Sequence, residues 1–451
     1  MKRVLCLSLA LALFLSLPSC RSEREAEIES EILAVRAENE AKAESLWEEE
    51  PPISAGIPDG DAATGTDSET AEKAAPKTDW DGILSSNYVL QGNKYYFRTL
   101  TRKPIDGQVC SVSMTTYTDV AALESGVICP DTLCRHDDAA VCKYIQVNFV
   151  TGFCFWDNHH YISCFQPTPN AKTKTGLFDL TADSCEILYT PRQDMTSILN
   201  VENDTLWLVD ITSKTKNKKT VVTYTLCGVS LPAGDTVFSA KLPDGVIPFL
   251  VRDGLIWCNT VKSIVALDPA SMEQTVILEY EPEDILGEWY YDTNRGELWF
   301  NIINKPKNTG KIYAFSDGAC RQIVMPVPDV YYFQLTNSGI YYSAYEPVYI
   351  GVSLAPDNPP TYDYANGKVW RVSREDPAGE AALIYDAEGR YNIASEITGY
   401  AVFGNHIYFD KIDVVRETRN GVEYVYFSIA DDLYKIRVDL ETGAEEEIRF
   451  E

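Results

Sequence analysis

An all-β, seven-bladed β-propeller is the fold the sequence predicts, and three observations predict it. From about residue 85 to residue 451 the chain is rich in Tyr, Trp, Val, Ile and Thr, with few helical periods, the composition of strands rather than helices. One hairpin signature recurs seven times through that stretch. The stretch is also far longer than one ordinary core, so the repeats must stack on one another to bury their apolar faces.

The repeat begins with a turn dipeptide and continues with a short strand that carries aromatic residues. Gly92-Asn93 precedes KYYF, Asp157-Asn158 precedes HHYI and Asn203-Asp204 precedes TLWL. Asp253-Gly254 stands before LIW, Arg295-Gly296 before ELWF, Ser338-Gly339 before IYY and Gly404-Asn405 before HIYF. Most of these pairs contain the Gly, Asn or Asp that tolerate the positive φ of a two-residue hairpin turn. A second strand pair follows each hairpin, as in GLFDLTADSCEILY, SIVALDPASMEQTVIL, GKIYAFSDGACRQIVM and DLYKIRVDLETGAEEEIRF. Four strands per unit, at spacings of 42–66 residues, match the blade of a propeller.

This topology predicts where insertions fall. With strands A to D running outward from the axis, the tight A–B turns lie on one face, and the B–C loops and D-to-A crossovers share the other. The longest irregular segments are the crossover around residues 128–142, residues 344–366 in blade six and residues 410–422 in blade seven. All three are expected on the B–C face, where a rigid scaffold would present them for binding.

Ahead of the propeller, residues 1–19 have the cations, apolar run and small-residue end of an export signal, with the run from Val4 to Leu17 too short to span a bilayer comfortably. Leu17-Pro18-Ser19-Cys20 resembles a bacterial lipobox, with Pro18 in place of the commoner small residue. The resemblance implies lipidation of Cys20 and anchoring by acyl chains at the outer face of the cytoplasmic membrane, or otherwise outside the cytoplasm. Residues 20–84 read as an acidic tether. Its first part is rich in Glu and Ala, with Ile28, Ile32 and Val35 at helical spacing, and its second part is linker-like with Pro, Gly, Thr and Asp. The formal net charge of −28 speaks against nucleic acid or anionic lipid headgroups as main partners.

The crossover ICPDTLCRHDDAAVC places Cys129, Cys134, His136 and Cys142 close in sequence. A Cys3His set suits a structural zinc site, although C-x4-C-x-H-x5-C lacks the C-x2-C knuckle. A disulfide between two of the cysteines and reduced thiols throughout are the other readings. Cys227 and Cys258 read as buried strand residues. Across the Asp157-Asn158 turn Cys154 faces residue 161, so period-two alternation separates it from Cys164 and no disulfide joins them. Packing or solvated-turn roles are expected for His159, His160 and His406. SKTKNKKT forms a dense basic loop.

The blade-six insertion carries Tyr345, Tyr349, Asp357, Tyr362, Asp363 and Tyr364, aromatic and carboxylate groups suited to gripping a glycan or peptide. The strand repeat and the cysteine loop together resemble extracytoplasmic lipoproteins of anaerobic, Clostridia-like bacteria with a propeller of the low-density-lipoprotein-receptor-related type. That resemblance implies fold and location and no reaction. The functional expectation is a tethered binding or scaffolding module for an envelope protein or glycan. The alternative is a glycoside hydrolase or lyase whose carboxylates converge from several blades at the channel mouth and so leave no local motif.

Overall fold

The computed structural model describes residues 78–448, apart from short internal segments of which 130–133, 135–141, 166–175, 181–186, 190–194, 350–361, 395–398 and 430–434 are the longest. The signal peptide, Cys20 and most of the tether lie outside the described residues. The fold is an all-β propeller. Seven antiparallel sheets of four or five strands follow one another along the chain. They span residues 89–127, 149–189, 195–241, 247–279, 284–323, 330–386 and 400–448, here sheets I to VII. Within each sheet the four strands lie side by side in chain order, consecutive elements of the sheet neighbouring in space.

Five of the predicted A–B turns are two-residue turns, as the pairings Gln91–Lys94, Trp156–His159, Glu202–Thr205, Arg252–Leu255 and Phe403–His406 define. Positive φ at Asn203 and Asp204, and at Asp253 and Gly254, is the backbone state their residue types allow. Sheets V and VI depart from this pattern. Their A–B turns close at Asp292–Glu297 and Leu335–Ile340, two residues wider. The reason is that both turns hold the incoming chain. Thr293 N–H donates to the Gly82 carbonyl at 2.8 Å, and the Asn294 side chain donates to the Asp81 carbonyl at 2.8 Å. In sheet VI the Asp79 carboxylate accepts from both the backbone N–H and the hydroxyl of Ser338, each at 2.8 Å.

The propeller therefore reaches back to Thr78, and the boundary expected at residue 85 cuts through it. Strand Ile83–Ser85 pairs antiparallel with Tyr290–Asp292, on the axial side of sheet V. The chain then reverses and returns as Val89–Gln91, the innermost strand of sheet I. Trp80, Ile83 and Tyr88 are the reason this stretch folds inward: all three are buried in one cluster with Tyr95, Tyr290, Phe333 and Phe403. Trp80 meets Phe403 edge-on with ring centroids 5.0 Å apart, and Tyr95 lies 4.7 Å from the same ring. Along the walls of sheets V, VI, VII and I the axis is thus filled by aromatic side chains rather than left open.

Between sheets, the inner strands are joined by side chains in place of a ladder. The Asn200 amide both donates to the Val251 carbonyl at 2.7 Å and accepts from its N–H at 2.9 Å. Gln334 does the same to Val402, donating at 2.9 Å and accepting at 2.6 Å. Each amide supplies the donor and acceptor that a neighbouring strand would have given, so the buried backbone stays satisfied. The seam from sheet VII to sheet I is closed by Tyr95 against Tyr408 and by an Arg437 guanidinium donating to the Leu123 carbonyl at 2.7 Å.

Candidate binding face

Four hairpins outgrow their sheets, all in the B–C position. In sheet III, strands Thr205–Lys216 and Lys219–Ser230 pair along their whole length, whereas their flanking strands stop at Ile211 and Thr225. Residues 212–223 consequently form a two-stranded arm beyond the four-stranded part of the sheet, about 15 Å long at the rise of a strand. Sheet I has the same build, with Ile105 opposite Gln108 at the tip. Sheets VI and VII carry separate ribbons, Pro347–Tyr349 with Tyr362–Tyr364 and Ile412–Arg419 with Val422–Ile429. Because B–C connections sit at the strand ends remote from the A–B turns, all four arms leave one face. The crossover from sheet I to sheet II joins them there, since its strand Ile145–Gln146 pairs with Ser113–Met114 in the sheet I arm.

The other face is compact and holds a buried ion cluster. Arg374, just past the third strand of sheet VI, places one guanidinium nitrogen 2.7 Å from Asp292 and 2.7 Å from Glu297 of sheet V. Its guanidinium also lies over the Trp299 ring, 5.3 Å from the centroid. Burial by itself would raise the Glu297 carboxyl, but hydrogen bonds from Trp299 and Arg374 together with the Arg374 charge hold it below its usual range. These two carboxylates share one guanidinium. Toward the opposite mouth, Glu288 accepts from the Ser86 hydroxyl at 2.8 Å.

The expected site residues separate into distinct groups. The Sγ atoms of Cys129, Cys134 and Cys142 all lie within 4.8 Å of one another. Cys142 is buried, and the other two are half-buried against the same core. His136 lies outside the described residues. Tyr345 packs edge-on against Tyr331, with centroids 4.9 Å apart, at the base of its ribbon. The register sets Tyr349 opposite Tyr362 and Val348 opposite Asp363, with Tyr364 opposite Pro347. Asp357 lies outside the described residues.

Cys227 and Cys258 are buried in strands, as their sequence context implies. Cys154 pairs with Tyr161 while Cys164 pairs with Val150, the separation that the turn register predicts. His159 meets the Asp179 carboxylate at 2.7 Å. His160 is buried and stacked on Phe155 at 4.6 Å, and desolvation pushes its pKa down to about 3 despite the nearby Asp179 charge. It is a neutral packing residue at any physiological pH.

Sequence reasoning missed the aromatic plug and the two long arms. Trp80 and Ile83 were the available signal for the plug, two large apolar residues within a stretch otherwise read as linker. For the arms, the signal was the length of uninterrupted strand composition on either side of the basic tip of sheet III.

No family model matches the chain, and no curated protein matches it. Among solved structures, uncomplexed Pyrococcus horikoshii acylaminoacyl peptidase is similar over 82% of this chain and 53% of its own, at 11% identity and a TM-score of 0.46. The β-propeller domain of the Trilobed protease from Pyrococcus furiosus covers 82% of this chain and 96% of its own, at 11% identity and a TM-score of 0.45. Oligogalacturonate lyase in complex with manganese covers 78% and 98%, at 9% identity and a TM-score of 0.39. The chain spans about half the length of the acylaminoacyl peptidases it matches.

Proposed function

We propose that this chain is a membrane-tethered, extracytoplasmic lipoprotein whose propeller, read as one ring of seven blades, is a binding or scaffolding module for an envelope protein or glycan. The observation that carries the reading is the one-sided distribution of the arms. The chain enters the propeller at Thr78 on the A–B face, and four hairpins and the cysteine crossover stand on the other. The filled axis supports binding over catalysis, because aromatic side chains occupy the walls where carboxylates of a propeller hydrolase would converge.

Two experiments test this. Cys20→Ala in the full chain should move the protein from the membrane fraction to the medium, and unchanged membrane association would remove the lipid anchor. The full-length protein in proteoliposomes, presented to a glycan array and crosslinked to isolated envelope, should retain a ligand that is not transformed. Turnover of a retained glycan would replace the scaffold reading with the glycoside hydrolase or lyase reading. A crystal structure with a different number of blades would correct the sevenfold ring.

A further inference from the structure

We infer that Cys129, Cys134 and Cys142 form a thiolate zinc site that pins the crossover between sheets I and II at the base of the sheet I arm. Three Sγ atoms within 4.8 Å of one another fit a shared metal. With Zn–S bonds of about 2.3 Å, the sulfurs of a tetrahedral site stand about 3.8 Å apart. A disulfide would use two of the three sulfurs at about 2.05 Å and leave the third without a role in the cluster.

The setting agrees with a structural metal. Cys129 and Cys134 pack against the cluster that buries Cys142, so water is largely excluded on one side. Cys129 directly follows the outer strand of sheet I, where the Ile128 N–H donates to the Thr115 carbonyl and the Cys129 N–H to the Val127 carbonyl. Cys142 stands three residues before Ile145–Gln146, the short strand on the sheet I arm. A metal held by these sulfurs ties both ends of the crossover to one point. Soft thiolates select zinc over magnesium or calcium, and binding releases the thiol protons. Cys154 and Cys258, by contrast, are single strand cysteines whose thiols burial pushes up, and they serve as internal references.

The test uses the full-length protein purified from membranes without chelator. Elemental analysis should give one zinc per chain, released when an organomercurial titrates the thiols, and cobalt exchange should give the thiolate charge-transfer and tetrahedral d–d bands. Chelator should lower the thermal midpoint by several degrees. Cys142→Ser should lose the metal, and if that variant fails to fold, the mercurial release from the unaltered protein still decides. A metal-free protein overturns the site, whether its three thiols are all titratable or intact mass shows two protons lost to a disulfide.

Discussion

The two faces of this propeller are built on opposite principles. On the A–B face the turns are as short as hairpins allow, and the two that are longer hold the incoming chain. Arg374 and Asp292 are buried just beneath it, with Glu297 half-buried beside them. On the B–C face the chain spends residues on arms built as two-stranded ladders beyond the four-stranded sheets. The contrast teaches where stability and recognition are divided: one face closes the ring, and the other is free to vary without opening it.

The largest effect that would sharpen this division is expected from the plug. Trp80→Ala or Tyr88→Ala removes a buried aromatic from the axial cluster, and each should cost about 3–5 kcal/mol of stability, read by denaturant unfolding of the full chain. Gly82→Ala should act in the same direction. Gly82 has φ +80°, and a Cβ there would lie 2.4 Å from the Asn294 amide, which holds the incoming chain. If these changes cost less than about 1 kcal/mol, the plug is an ornament and the axis is open to a ligand after all.

Arg374→Met comes next, because it takes from the buried Asp292 and the half-buried Glu297 the cation they share at 2.7 Å, leaving Asp292 only the more distant Arg295 at 3.7 Å. A loss of about 3–5 kcal/mol is expected. The comparison is Arg390→Met, which breaks a bidentate pair with Glu445 at 2.9 and 2.7 Å in a half-exposed position and should cost no more than about 1 kcal/mol. Equal losses would mean that burial is not what sets the value of the cluster.

A further effect, confined to acid pH, should appear on titration. His160 is held neutral with a pKa of about 3 in the folded chain, against about 6.5 when unfolded. Between these values the unfolded state binds the extra proton, so its contribution is whole above pH 6.5 and is lost as pH falls toward 3. The slope is at most about 1.4 kcal/mol per pH unit. His160→Phe should flatten that part of the stability profile, and a slope that persists unchanged would place its origin in other groups.

What the sequence made legible follows from the range of each interaction. The hairpin turns rest on adjacent residues with restricted φ, so Asn203-Asp204 and Asp253-Gly254 could be read directly. The separation of Cys154 from Cys164 followed from counting across one turn. The plug depends on Ile83 finding Asp292, a pairing between distant parts of the chain that no local pattern encodes. The amide clamps are equally hidden, since Asn200 and Gln334 read as ordinary polar strand residues until the neighbouring blade supplies Val251 and Val402. Within the candidate site, the proximity of the three cysteines was suggested by their spacing. Tyr345 packs edge-on against Tyr331 at the base of its ribbon, a contact between strands that the local pattern does not announce.

The smallest effect on stability should come from the largest change to the chain. Replacing residues 214–221 with Asn-Gly closes sheet III directly across the Ser213–Val222 pair with a turn suited to two-residue hairpins. The flanking strands pair only below this point, so the cut leaves the four-stranded part of sheet III intact, and stability should move by less than about 0.5 kcal/mol. On the opposite face, the single change Asp204→Val places a β-branched residue at φ +57° and removes the acceptor that Trp156 of sheet II reaches at 2.9 Å. It should cost about 1–3 kcal/mol. Thermal unfolding of the two variants side by side reads the comparison. Should the trimmed arm destabilise the protein more than the point substitution, the arms are structural braces and the division of labour between the faces does not hold.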